Sequence, residues 1–139
     1  MKNLILLVLV FSASAGFAQS KKEQQIRKFL KEWEAAWNSG SMDAHMSFYK
    51  KSDSTLRITN KRGLKRGWQT IYDDFKERSP DSASMGKTFV DVISIKRLSH
   101  KYYYAVVKSG VLKGTEAQSG YLSLLVERIK RRWFIIVEH

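Results

Sequence analysis

Arg132-Trp133-Phe134-Ile135-Ile136-Val137-Glu138-His139 is a β-branched and aromatic run, and it closes an almost purely β second half that follows a helical first half. Helices first and a run of strands after them is an α+β plan, in which helices cover one face of a curved sheet. Working back from that run, apolar residues recur with period two as far as Lys87. The pattern predicts strands over about 87–98, 102–113, 119–129 and 132–138, with turns at Ser99-His100-Lys101, Gly114-Thr115-Glu116 and Lys130-Arg131. Two of these strands are long, which suits a strongly bent sheet, and Gly110, Gly114 and Gly120 are the expected places for bulges or bends.

Upstream the period lengthens to that of a helix. Ile26, Phe29, Leu30, Trp33 and Trp37 fall on one apolar stripe, and Asn38-Ser39-Gly40 ends it. Gly40 supplies a left-handed C-cap residue, and the Ser41 hydroxyl caps the next helix. Met42, His45, Met46 and Tyr49 form the stripe of that short second helix. Leu56 and Ile58 alternate with Arg57 and Thr59 in a short strand that leads into the turn Asn60-Lys61-Arg62-Gly63. A third helix carries Trp68, Ile71, Tyr72 and Phe75 at helical spacing, and Ser79-Pro80-Asp81 stops it because the residue before proline is pushed out of the helical region. A half-open cone with the first helix across its mouth follows from this order, with four or five antiparallel strands.

Residues 1–18 read as a signal peptide, with Lys2 as the positive start, Leu4 to Phe11 as the apolar core and Gly16-Phe17-Ala18 as the cleavage site. That core is too short for a permanent span, and no second apolar run follows. The expectation is export to the periplasm or beyond, with a mature domain over 19–139 that begins near Gln19. Cysteine is absent, so no disulfide holds the fold.

Lys and Arg number 25 against 13 Asp and Glu, a formal charge of +12 that favours anionic partners. The basic residues cluster at Lys21-Lys22, at Lys61-Arg62 with Lys65-Arg66, and at Arg128 with Lys130-Arg131-Arg132. Each cluster sits at a helix start or a turn, as solvated loop charge does. Nucleic-acid binding would need a reader module or aromatics spaced along a basic groove, and neither is evident. Three scattered histidines without cysteine give no zinc-type spacing. Neither a nucleophile elbow nor a glycine-rich phosphate loop is present, so no cofactor is implied.

The order of elements, with Trp37-Asn38-Ser39-Gly40, Phe48-Tyr49, Ser52-Asp53-Ser54, Arg62-Gly63 and Gly67-Trp68, resembles the nuclear transport factor 2-like superfamily with its cystatin-like cone. Met85-Gly86-Lys87-Thr88-Phe89, Gly120-Tyr121-Leu122-Ser123-Leu124 and Trp133 to His139 are similar to the SnoaL-like branch, and within it to small exported bacterial proteins of unknown function. The likeness covers residues 24–139. Three departures stand out: Glu138-His139 where relatives commonly carry Asp-His, Gly40-Ser41 in place of Gly-Asp, and Lys130-Arg131-Arg132 in a turn that usually holds a glycine. The resemblance implies three N-terminal helices packed on a curved antiparallel sheet, a pocket in the cone and a homodimer. Ketosteroid isomerase relatives place a carboxylate base on the first strand. Here that strand reads Leu56-Arg57-Ile58-Thr59-Asn60, which argues against that mechanism.

The residues expected to border one concavity are Trp37, Tyr49, Arg57, Trp68, Tyr72 and His139. Arg57 either faces solvent or reaches into the cone as an anion clamp. As a clamp, its replacement by leucine would leave the thermal midpoint nearly unchanged. Neighbouring strand residues point to opposite faces, so at most one of Glu138 and His139 looks inward, with His139 as the expected one. His45 reads as a packing residue and His100 as solvated. Tyr103 and Val107 are expected on the open sheet face that a dimer would cover. These features support a non-catalytic binding or interaction protein of the cell envelope that takes a small apolar or acidic molecule. The alternative is an isomerase, dehydratase or cyclase acting inside the cone.

Overall fold

The computed structural model describes residues 21–139, so the expected signal peptide lies outside the described residues. Helix α1 covers 21–38 and α2 covers Met42–Met46. They are followed by β1 (Leu56–Thr59), β2 (Gly63–Arg66), α3 (Trp68–Arg78) and α4 (Ser82–Met85). Four long strands complete the chain: β3 (Lys87–Arg97), β4 (Tyr102–Lys113), β5 (Glu116–Ile129) and β6 (Arg132–Glu138). The sheet has the order β2-β1-β6-β5-β4-β3 and is not closed into a barrel.

This is the α+β cone read from the sequence, with two additions. The described sheet has six strands rather than four or five, because the turn after β1 continues into β2, and β1 runs parallel to β6. A fourth short helix follows Pro80, where Asp81 and Ser84 form a reciprocal cap. The caps between α1 and α2 are those expected: Gly40, closing α1, has φ +76°, and Ser41 Oγ, at the start of α2, accepts from Ala44 N at 3.2 Å.

Helix α1 buries Ile26, Phe29, Leu30, Trp33 and Trp37. Side chains of this size contribute roughly 1.5–3 kcal/mol each when removed from water, which makes this stripe the main attachment of the helix to the sheet. Its polar flank covers the open edge of β3. Asn38 donates to Thr88 O at 2.9 Å and accepts from Thr88 N at 2.7 Å, while Glu34 accepts from Val90 N and Lys31 donates to Val90 O. An edge strand otherwise exposes such groups to unwanted pairing, so α1 acts here as a substitute neighbour.

The bulges do not fall at the glycines. The β3 register with β4 skips at Ile93, and the β5–β6 register skips at Ile136, where Leu125 pairs with Val137 and Val126 with Ile135. An extra residue reverses which face each later side chain takes, so both bulges decide what the cone contains. The faces of β4 are also the reverse of the sequence expectation. Tyr103 and Val107 are buried in the core, and Tyr104 is the exposed member of the tyrosine run.

Candidate functional site

Under α1 the concave sheet face leaves a cavity of about 330 Å³. Its deep end is set by Trp33 and Trp37 from α1, His45 from α2, Tyr49, Phe75 from α3, and the pair Arg57 and Glu138. Glu34, Arg78, Gln118, Ser119 and Gly120 also line it. Of the residues expected to border one concavity, Trp37, Tyr49 and Arg57 are brought together, and Trp68, Tyr72 and His139 lie elsewhere.

Trp68 and Tyr72 sit on the flank of α3, beside its buried stripe of Ile71, Asp74 and Phe75. Their rings stack on each other at 5.3 Å, Trp68 Nε1 donates to Met46 O, and the Tyr72 hydroxyl donates to Asp43. They tie α3 to α2. His139 points to the outer face and is exposed, and its backbone exchanges hydrogen bonds with Ser123. Glu138 takes the inward position instead, only 3% exposed. The bulge at Ile136 is the cause: strict alternation from Trp133 and Ile135 would send His139 inward, and one extra residue exchanges the two.

Arg57 does reach into the cone, but its fork is occupied. Strands β1 and β6 bring Arg57 and Glu138 into register, and Arg57 Nε donates to Glu138 Oε1 at 3.0 Å. Arg57 Nη1 donates to Asp74 Oδ2 at 3.3 Å, and the guanidinium lies 4.3 Å from the Phe75 ring centroid. Burial alone would lower its pKa, yet Glu138, Tyr49 and Asp74 outweigh that and hold it above the usual value. A guanidinium held by two carboxylates has little charge left for an external acid, so the free anion clamp is not what the structure builds. Asp74 is further neutralised by Arg62 at 2.8 Å, Arg78 at 3.4 Å and Lys65 at 3.8 Å. The Tyr49 hydroxyl donates to Glu138, and burial followed by the Glu138 charge pushes its pKa well above the ordinary tyrosine value.

His45 is 3% exposed and enclosed by aromatic rings. Trp33 stacks on it at 5.4 Å, Trp37 and Phe75 meet it edge-on at 4.9 and 5.3 Å, and Tyr49 is 5.5 Å away. Burial and then the Arg57 charge lower its pKa to about 3, so the imidazole is neutral at physiological pH. Neither ring nitrogen has a hydrogen-bond partner, the approach of the Trp33 backbone falling short of bonding geometry, and Trp33 Nε1 approaches the Tyr49 hydroxyl but likewise falls short of a bond. Trp37 Nε1, by contrast, donates to Met85 O. The sequence reading of His45 as packing describes its neighbours but misses these orphan nitrogens, since residue spacing carries no record of unmade bonds. Among the described residues no group of three or more His, Cys, Asp or Glu is placed to hold a metal ion.

The helix-covered open sheet is shared with solved structures. The chain is similar to an NTF2-like protein of unknown function from Shewanella oneidensis MR-1, with 30% identity over 85% of this chain and 97% of that one, and a TM-score of 0.80. The chain belongs to the NTF2-like family. An NTF2-like protein of unknown function from Pseudomonas putida KT2440 has the same fold at 13% identity, covering 86% of this chain and 85% of that one, with a TM-score of 0.68. So does a cystatin-like domain of unknown function from Nostoc punctiforme PCC 73102, at 16% identity, 84% and 74% coverage and a TM-score of 0.67. No family model matches the chain, and no curated protein matches it by sequence. Within this NTF2-like cone, Arg57 and Glu138 form the charged wall, with the neutral Tyr49 hydroxyl on Glu138, and His45 with Trp33 forms the uncharged one.

Proposed function

We propose that this NTF2-like chain is an exported binding domain of the cell envelope, of the SnoaL-like branch, whose cavity takes a small, mostly apolar molecule with one neutral polar group. The observation that carries the reading is the pair of unpartnered polar side chains, His45 and Trp33, at the aromatic end of the cavity, distinct from the paired charges of Arg57 and Glu138. A buried donor or acceptor left unmade costs about 1–3 kcal/mol, so a ligand that supplies the partner gains that amount in addition to its apolar contacts. An apolar ligand is favoured over an acidic one because Arg57 is committed to Glu138 and Asp74.

Binding is favoured over an isomerase, dehydratase or cyclase by the protonation states. An efficient general acid or base has a pKa near the working pH. His45 lies at about 3 and Tyr49 well above its ordinary value, so neither is tuned for proton transfer near neutrality.

Gly120 provides the test. It lines the cavity, and a Cβ added there meets nothing within 4 Å. A thermal scan of wild type against small apolar alcohols, amides and carboxylic acids is expected to show larger shifts with the neutral members. At a hundredfold excess over Kd the gain is about 2.7 kcal/mol, a rise of several degrees. Gly120→Leu fills the opening, and it should abolish those shifts while keeping the ligand-free midpoint within about 2 °C. Absence of any shift in wild type, or equal shifts in Gly120→Leu, defeats the reading.

Export and self-association belong to the same proposal. Tyr104, Leu112, Tyr121 and Ile93 expose large apolar surface on the sheet, enough to suggest a face covered by a second copy. Native mass spectrometry of the exported protein is expected to give a dimer whose chains begin near Gln19. Chains retaining residues 1–18 would defeat the export claim, and monomer alone at high micromolar concentration the assembly claim.

A further inference from the structure

Away from the cavity, a groove of about 490 Å³ runs between α1 and the hairpin that joins β5 to β6. Phe29, Phe48 and Trp133 give it an aromatic floor, and Phe29 packs on Phe48 at 5.3 Å. Lys28, Arg128, Arg131 and Arg132 line it with positive charge, against the single carboxylate of Glu32. Glu32 is engaged by Lys28 at 3.6 Å. Arg128, Arg131 and Arg132 form no ion pair among the described residues.

Two observations separate this cluster from ordinary solvated loop charge. Arg128 Nε is shielded from water and has no hydrogen-bond partner. A charged donor removed from water without an acceptor is costly, and Arg128 still lines the groove, so its terminal nitrogens are the ones an acceptor from outside meets. The guanidinium is also held in place, 5.7 Å from the Trp133 ring centroid. The second observation is the turn itself. Lys130 and Arg131 have φ of +46° and +69°, the left-handed region that a two-residue hairpin turn normally gives to Asn-Gly. Here two long cationic side chains occupy positions where asparagine and glycine would be unstrained. Strain retained at such a turn points to a role for the side chains rather than for the backbone.

We propose that this groove binds a phosphoryl group, with Arg128 and Arg131 as its fork and the carrier of the phosphate lying on Phe48 and Trp133. Planar guanidinium forks suit the paired oxygens of a phosphate, and an aromatic floor suits a carrier with apolar or sugar surface. The phosphate could be borne by a soluble ester or by the headgroup of an anionic lipid, and the experiment separates the two.

The full-length mature chain is titrated at about 150 mM NaCl, where long-range attraction is largely screened. One arm uses glycerol 3-phosphate followed by amide NMR, and the other uses vesicles of phosphatidylglycerol in phosphatidylcholine followed by co-sedimentation. Saturable shifts confined to residues 128–133 and their α1 neighbours assign the site to soluble phosphate esters. Sedimentation without a soluble response assigns it to the lipid headgroup. Lys130→Asn with Arg131→Gly is expected to lower affinity about tenfold, the loss of one charge-assisted hydrogen bond. The same double variant should raise the thermal midpoint by about 4 °C, because the turn strain is relieved. Lys96→Gln with Lys108→Gln removes the same charge from exposed positions on the sheet and should leave affinity unchanged. No binding in either arm overturns the proposal. So does an equal loss in the Lys96 and Lys108 variant, or a stabilised turn variant with undiminished affinity.

Discussion

Arg57→Leu is expected to cost about 3–5 kcal/mol of folding stability, the range for breaking a buried ion pair by removing one partner. Arg57 is 8% exposed, and its removal leaves Glu138, 3% exposed, with only the Tyr49 hydroxyl as partner. Asp74 is cushioned by Arg62 and Arg78, so the penalty falls mainly on Glu138. A second substitution tests that assignment. In Arg57→Leu with Glu138→Leu no carboxylate is stranded beside the lost guanidinium, and most of the loss should be recovered, with a coupling of about 2 kcal/mol or more. Urea unfolding at neutral pH reads wild type, Arg57→Leu, Glu138→Leu and the double variant. A single variant that loses less than about 1 kcal/mol, or a double variant whose loss is the sum of the singles, would show that the pair is not the structural tie described here.

That expectation is the opposite of the one Arg57 suggests in the sequence, and the reason is long-range pairing. Leu56 and Ile58 flanking Arg57 mark a strand, but nothing local says that β1 will lie parallel to β6 with Arg57 beside Glu138. The fold itself was legible, because helical stripes such as Ile26 to Trp37 and the period-two runs after Lys87 are local signals. Cap chemistry at Gly40 and Ser41 was legible for the same reason. The contents of the cone were legible only where alternation is unbroken. The unpaired Ile136 sits in an uninterrupted apolar run, with no glycine to mark it, and it decides that Glu138 rather than His139 enters the cavity. Tyr103 and Tyr104 make the same point on β4: two identical side chains adjacent in sequence give no hint of which one the core takes. The helix-borne part of the site was half visible. Trp37 was placed by its stripe, Tyr49 enters the site from beyond the end of α2 through a bridge with Ile135 rather than from a helix face, and Trp68 and Tyr72 share a stripe with Ile71 and Phe75 but turn toward α2.

Acidification from pH 7 to about pH 4.5 is expected to remove roughly 2–3 kcal/mol of stability through His45 alone. Burial, then the Arg57 charge, lowers the folded-state pKa of His45 from 6.5 to about 3. Between those values the unfolded chain carries a proton on this imidazole and the folded chain does not, so the unfolded state binds more protons and stability rises with pH. The full benefit is present above about pH 6.5, and it is lost steadily as pH falls toward the folded value, at about 1.4 kcal/mol per unit. The groups facing the imidazole do not offset this: Arg57 is cationic throughout the range, and Tyr49 is neutral with its hydroxyl given to Glu138. Glu127, held below the usual carboxylate range by Lys50 and Tyr102, adds a loss of its own only once the pH falls below about 4.3, the unfolded glutamate value. The interval from pH 7 to pH 5 therefore isolates the histidine. His45→Phe keeps an aromatic ring among Trp33, Trp37 and Phe75 and removes the titrating group, so its stability should be nearly flat over that interval, whatever its level at pH 7. Urea midpoints at half-unit steps of pH supply the slope. A flat wild-type profile between pH 7 and pH 5 would mean that His45 accepts a proton in the folded cone, and a His45→Phe profile as steep as wild type would place the proton uptake on another group.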